Sequence, residues 1–145
     1  YAAWDPFGKL AEVNNGYTVL SDISTDANFA GKSCCFLYAS GKKIKEDPER
    51  VAAIARAYQK ATAWIAEHPE ETAKLEIEKK YVATDDVKLV TDLIESYHFN
   101  FTTDAAQEDV RYFVKQFSKT GFLKKDTDPE EFLKTAYYDV FGSVK

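Results

Sequence analysis

The spacing of apolar residues changes character along the chain. Up to about residue 40, apolar positions come as short runs broken by turn residues. Tyr1-Ala2-Ala3-Trp4 is a short apolar stretch stopped by Asp5-Pro6. Pro6 suits the first turn of a helix, with Asp5 as its cap, and a short helix is expected over residues 7–13. Asn14-Asn15-Gly16 stops it. Residues 17–23 are β-branched and apolar enough for a strand, and residues 21–31 are small and polar, a loop. Residues 34–39 form a continuous apolar run of strand length, ended by Ser40-Gly41.

From residue 46 onward the period becomes helical. Asp47-Pro48 predicts the cap of a long helix with Val51, Ile54, Tyr58, Ala61 and Ile65 on one face. His68-Pro69 ends it and opens another helix over 70–80, because the residue before proline disfavours the helical conformation. Thr84 is the expected cap of a third helix, with Val87, Val90, Ile94 and Tyr97 as its stripe. Thr103 is the expected cap of a fourth, with Val110, Phe113, Val114 and Phe117 inward and Gly121 past its end. Asp128-Pro129-Glu130-Glu131 joins a capping Asp, proline at the first position and Glu three residues after the cap. The helix it starts holds Phe132, Leu133, Ala136 and Tyr137. The fold class expected is therefore α/β: short strands, then five helices. A parallel sheet needs more strands and cover on both faces. The remaining strands are expected upstream of Tyr1 or from a second copy of the chain.

Composition narrows the function classes. A chain of 145 residues can bury a real core. Its 24 acidic against 19 basic side chains give a net charge of −5. The lysines occur in small groups (Lys42, Lys43 and Lys45; Lys79 and Lys80; Lys124 and Lys125), read as solvated helix ends. No basic stripe runs along the chain, so no nucleic-acid partner is expected. No apolar stretch has the length to span a bilayer. The chain starts at Tyr1 and contains no methionine, so its natural start is expected elsewhere.

Candidate chemistry is sparse. Cys34 and Cys35 are adjacent, which is not a disulfide framework. On a strand they would face opposite layers as small buried hydrophobes. No further Cys or His stands at metal-ligand spacing, so no metal or cofactor is expected. His68 is expected in a solvated helix corner, and His98 at a helix end. No Ser-His-Asp or Cys-His motif and no glycine-rich phosphate loop is present, so no catalytic residue is assigned. The carboxylate pairs Glu70/Glu71, Asp85/Asp86 and Glu130/Glu131 sit at helix starts, where they complement the helix dipole.

The order of these motifs carries a resemblance. Ala3-Trp4-Asp5-Pro6, the two apolar runs, and Glu46-Asp47-Pro48-Glu49-Arg50-Val51 leading to Glu67-His68-Pro69-Glu70 resemble the C-terminal half of periplasmic solute-binding proteins of ABC importers. The branch is the NMT1/SsuA-like one, which handles nitrate, sulfonates, taurine and thiamine-pyrimidine precursors. The resemblance implies the C-terminal portion of a two-lobed type II periplasmic-binding-protein fold. Residues 1–32 would end the second lobe. Residues 33–145 would supply the hinge strand and helices packing on the first.

The resemblance further implies a small-molecule ligand bound by lobe closure, a permease as partner, and no enzymatic step. It also implies a periplasmic or extracellular location at a membrane, with a lipid anchor as one form. Trp4, Asp5 and Phe7 would belong to the ligand site, since the loop after this strand faces the cleft in resembling proteins. Trp4 has two readings, a flat apolar wall for a ligand or a core residue. Asp5 would repel an anion and is assigned to the cap. Pyrimidine-making relatives carry Cys-Cys-Cys-Phe-Cys where this chain has Ser33-Cys34-Cys35-Phe36-Leu37. The loss of the outer cysteines argues against iron and that chemistry. A helical interaction module without ligand is the reading from another class. Unpaired sheet edges would drive homodimerisation or strand exchange of this chain alone.

Overall fold

The computed structural model describes residues 2–97, 99 and 102–142. It contains seven helices, α1 (Phe7–Asn15), α2 (Gly41–Glu46), α3 (Pro48–Glu67), α4 (Pro69–Glu78), α5 (Val87–Ser96), α6 (Thr103–Thr120) and α7 (Pro129–Ala136). Among the described residues there is no β-strand, so the expected α/β fold is replaced by an all-helical one. The reason lies in pairing. Residues 17–21 and 34–39 are non-helical, but among the described residues no neighbouring segment forms a ladder with either. A helix closes its hydrogen bonds within itself, whereas a strand needs a neighbour. Leu20 is 95% exposed and Tyr38 92%, so neither run covers a core.

The helix ends follow local chemistry. α1 stops where Gly16 takes φ +64°, its N–H donating to the Glu12 carbonyl at 3.0 Å. The Ser40 hydroxyl accepts from the Lys43 N–H and caps α2, a helix absent from the sequence expectation. Asp86 caps α5, not Thr84, whose hydroxyl instead accepts from the Asp86 N–H at 3.2 Å. Thr102 caps α6, one residue before the expected Thr103, and Gly121 ends it in the left-handed region. The Asp128 carboxylate accepts from the N–H groups of Glu130 and Glu131 at 2.7 and 3.1 Å and starts α7 as expected. Pro6 occupies the cap position of α1 with no side-chain hydrogen bond there, so Asp5 does not cap it.

The chain divides into two compact units. One comprises residues 1–31 and 62–100, the other residues 32–61 and 101–145. The division falls within α3. The core of the first unit forms where α4 packs on α5: Ala73 is fully buried, with Leu89, Val90 and Ile94 around it and Leu10, Ile65 and Ile77 against it. The small Ala73 side chain lets the two helices approach closely. In the second unit α6 packs on α7, with Val114 and Leu133 buried. The Arg111 guanidinium forks onto both oxygens of Glu130, at 2.6 and 3.1 Å. The α3 stripe departs from expectation in part, with Ile65 against the core as expected. Ala52 and Ala55 are its buried residues, while Ile54 (48% exposed) and Tyr58 face outward.

Removing side-chain volume tests this packing. Ile94→Ala leaves a cavity in the α4–α5 core and should cost about 2–5 kcal/mol, whereas Ile54→Ala should stay within about 0.5 kcal/mol of wild type. Urea denaturation of the three proteins checks the difference. At the start of α7, the backbone N–H groups of Glu131 and Glu130 hold the Asp128 carboxyl below its ordinary range. A depressed folded-state pKa contributes stability above the unfolded value and loses it as pH falls through the folded one. Helicity of α7, followed by amide exchange, should weaken as pH drops below the ordinary carboxylate range. In Asp128→Ala that acid-dependent loss should be smaller, leaving the part owed to Glu130, which Arg111 also holds low, and α7 should be less protected at neutral pH.

Candidate functional site

The residues expected at a ligand site lie in the segment that leads into α1, in the first unit. Trp4 is 78% exposed, which sets aside the core reading. Its carbonyl accepts from the Gly8 N–H at 3.3 Å, and the Pro6 carbonyl accepts from Leu10 at 2.8 Å, so the segment is wound into the helix start. The Asp5–Pro6 bond is cis. Asp5 accepts a hydrogen bond from the Tyr97 hydroxyl, across 92 residues of chain. Tyr97 is the residue that closes α5, and its ring meets Phe99 edge-on at 6.2 Å. Phe7 opens α1 and is half-exposed. The structure therefore brings Asp5 to Tyr97, a partner the sequence did not indicate. It leaves the Trp4 indole open to solvent as a flat apolar surface. An indole face suits a neutral or cationic group better than an anion.

Two open clefts are formed by other residues. One, of about 550 Å³, is lined by Lys115, Ser118, Lys119, Lys125 and Thr127 among others, at the end of α6. Lys119 lies in the last turn of α6, where the helix carbonyls favour a cation, and Asp126 lines the same cleft. The other, of about 330 Å³, is lined by Glu70, Val87, Lys88 and Thr91. Trp4, Asp5 and Phe7 line neither.

The second unit holds a buried carboxylate that sequence reasoning missed. Asp109 of α6 accepts from the Ser33 N–H at 2.7 Å and lies 3.6 Å from the Lys32 ammonium. That ammonium also stands over the Tyr112 ring, 4.3 Å from its centre. Asp109 thus ties the backbone just ahead of the cysteines to α6. The available signal was an acidic residue at the edge of an apolar stripe, between Ala106 and Val110, a position that usually belongs to a solvated face.

Cys34 and Cys35 come directly after this anchor. Both are exposed, with their sulfurs 3.2 Å apart, so the expectation of two buried cysteines on a strand is corrected. Its premise, a strand between two layers, is missing. His68 caps α4 without a side-chain bond, stacks on Trp64 at 5.1 Å, and has Nδ1 3.8 Å from Glu71. His98 lies outside the described residues. Among the described residues no group of three or more His, Cys, Asp or Glu side chains is arranged to hold a metal. No helix of these residues is long and apolar enough to cross a membrane.

Residues 16–72 match the model of the family described as NMT1/THI5 like. The match spans less than half of the chain, from the end of α1 to the first turn of α4, and includes the cysteine pair. It supports the resemblance over that stretch and is consistent with a solute-binding or thiamine-pyrimidine-related role. It does not reach Trp4, Asp5, Phe7 or Asp109. No curated protein matches the chain, and neither does any solved structure.

The Asp109 contacts are testable. Asp109→Ala leaves the Ser33 N–H without its acceptor and should cost about 1–3 kcal/mol. Asp109→Asn keeps an oxygen there and should cost less. Exchange of the Ser33 amide should accelerate in the alanine variant while α7 amides keep their protection.

Proposed function

We propose that the chain belongs to the substrate-binding component of an ABC importer and takes part in holding a small ligand for delivery to a permease. The observation that carries this reading is the family match over residues 16–72, preceded by the Ala3-Trp4-Asp5-Pro6 motif. The ligand class is a sulfonate, taurine, nitrate or a thiamine-type pyrimidine. Exposed Trp4, with Asp5 and Phe7 close to it in the chain, is offered as the contact surface. The ligand acts by differential affinity, favouring a closed form over an open one, and no bond is broken. The chain is then not an enzyme, and it works outside the cytoplasmic membrane, at its surface.

Electrostatics narrow the ligand within this set. The Asp5 carboxylate, next to Trp4 in the chain, disfavours a bare anion and suits a ligand with an amine or amidine-like face, as in taurine or an aminopyrimidine. A second reading, a helical interaction module, draws on the all-helical architecture and the exposed apolar residues of α3.

A thermal-shift series with taurine, alkanesulfonates, nitrate, bicarbonate and aminopyrimidines separates the two. The importer reading expects stabilisation that grows with one compound's concentration, about 2.7 kcal/mol at a hundredfold excess over Kd. Trp4→Ala should weaken that response at least tenfold in concentration. A flat response across the panel overturns the importer reading in favour of the module.

A further inference from the structure

Cys34 and Cys35 stand in an unusual setting for thiols. Both are exposed, and their sulfurs lie 3.2 Å apart in hydrogen-bond contact. The backbone of residues 34–39 makes no backbone hydrogen bond among the described residues, while Ser33, next to them, is anchored on Asp109. The pair therefore sits at the fixed end of a segment that can change its backbone angles without breaking a ladder or a helix.

We propose that Cys34 and Cys35 are a reversible dithiol–disulfide couple, oxidised by exchange with a low-molecular-weight disulfide. This inference is independent of the importer reading. A thiolate on Cys35 attacks one sulfur of the external disulfide. That S–S bond breaks, and one small thiol leaves with a proton. Cys34 then loses its proton and attacks the Cys35 sulfur of the mixed disulfide. The second small thiol leaves and the ring between neighbours closes. Two protein thiols are oxidised and one external disulfide is reduced to two thiols, so electrons and protons balance. The reverse order, with Cys34 attacking first, balances equally, since either sulfur can donate in the contact between them.

Geometry makes this couple labile rather than structural. The Cα atoms of neighbouring residues are about 3.8 Å apart across a trans peptide. Disulfide-linked Cα atoms usually lie about 4.4–6.8 Å apart, so the ring carries strain. Strained and exposed disulfides have the more oxidising potentials and reopen readily. The unpaired backbone lowers the cost of closing the ring, and Asp109 holds its entry fixed. The couple would thus respond to the thiol poise around it and would not staple the fold.

The test is incubation of the full chain with oxidised glutathione, an acid quench, and intact mass with thiol alkylation. The expected product has lost two hydrogens, holds no glutathione, is monomeric, and regains both thiols in excess reduced glutathione. Cys34→Ser and Cys35→Ser should each end as a glutathione adduct or a disulfide-linked dimer. Wild type that ends glutathionylated, cross-linked between chains, or with both thiols unreacted overturns the proposal. Far-ultraviolet circular dichroism should be unchanged between the two states of wild type, which separates ring closure from unfolding.

Discussion

The first unit depends on the approach of α4 to α5 at Ala73. A larger side chain there would hold the helices apart and open the cluster of Leu89, Val90 and Ile94. The approach also sets the end of α5, where Tyr97 reaches the Asp5 carboxylate. Position thus passes from a core contact, through a helix end, to the segment carrying Trp4. The second unit has a comparable chain of dependence. α6 carries Val114 toward the packing with α7 and, on another part of its surface, presents Asp109 to the backbone at Ser33. In both units one carboxylate fixes a non-helical segment to a helix, and the residues of chemical interest lie next to that anchor.

Helix starts and stops were legible where one residue type does one local job. Asp128-Pro129 and Gly121 act as their chemistry dictates. Thr84 and Asp86 show the limit of such reasoning. Both can accept at a helix start, and the choice between them rests on where Leu89 and Val90 find their core. The α3 stripe held at Ile65, which packs on the first unit's core, and departed at Ile54 and Tyr58 for a related reason. Periodicity says which residues share a face, while burial depends on what covers that face. The two alanines, Ala52 and Ala55, fit under cover where Ile54 and Tyr58 do not. α4 also ends in a way the sequence does not announce. Lys80 takes φ +58°, a conformation more usual for glycine, as the Tyr81 N–H returns to the Glu76 carbonyl.

The strands and the site were less legible. β-branched, apolar composition marks residues 17–23 and 34–39 as fit for a sheet, but composition cannot supply the neighbour a sheet requires. The buried-cysteine expectation fell with it, since burial on two layers presupposes the layers. At the candidate site Trp4 and Phe7 could be read as apolar contact surface. The Asp5–Tyr97 and Asp109–Ser33 bonds, spanning 92 and 76 residues, leave no local trace. A long-range bond between polar groups has no period and no spacing for a sequence pattern to reveal.

The two tryptophans occupy contrasting surroundings. Trp4 stands in water, while Trp64 lies against the His68 ring at the corner between α3 and α4. Trp64 is 41% exposed against 78% for Trp4, and the less solvated, ring-stacked indole emits at the shorter wavelength. The protein therefore carries two intrinsic optical reporters in different surroundings. One watches the segment ahead of α1 and the other watches the helix corner. Replacing either indole by phenylalanine would leave a single-colour readout of the other region, with no label attached.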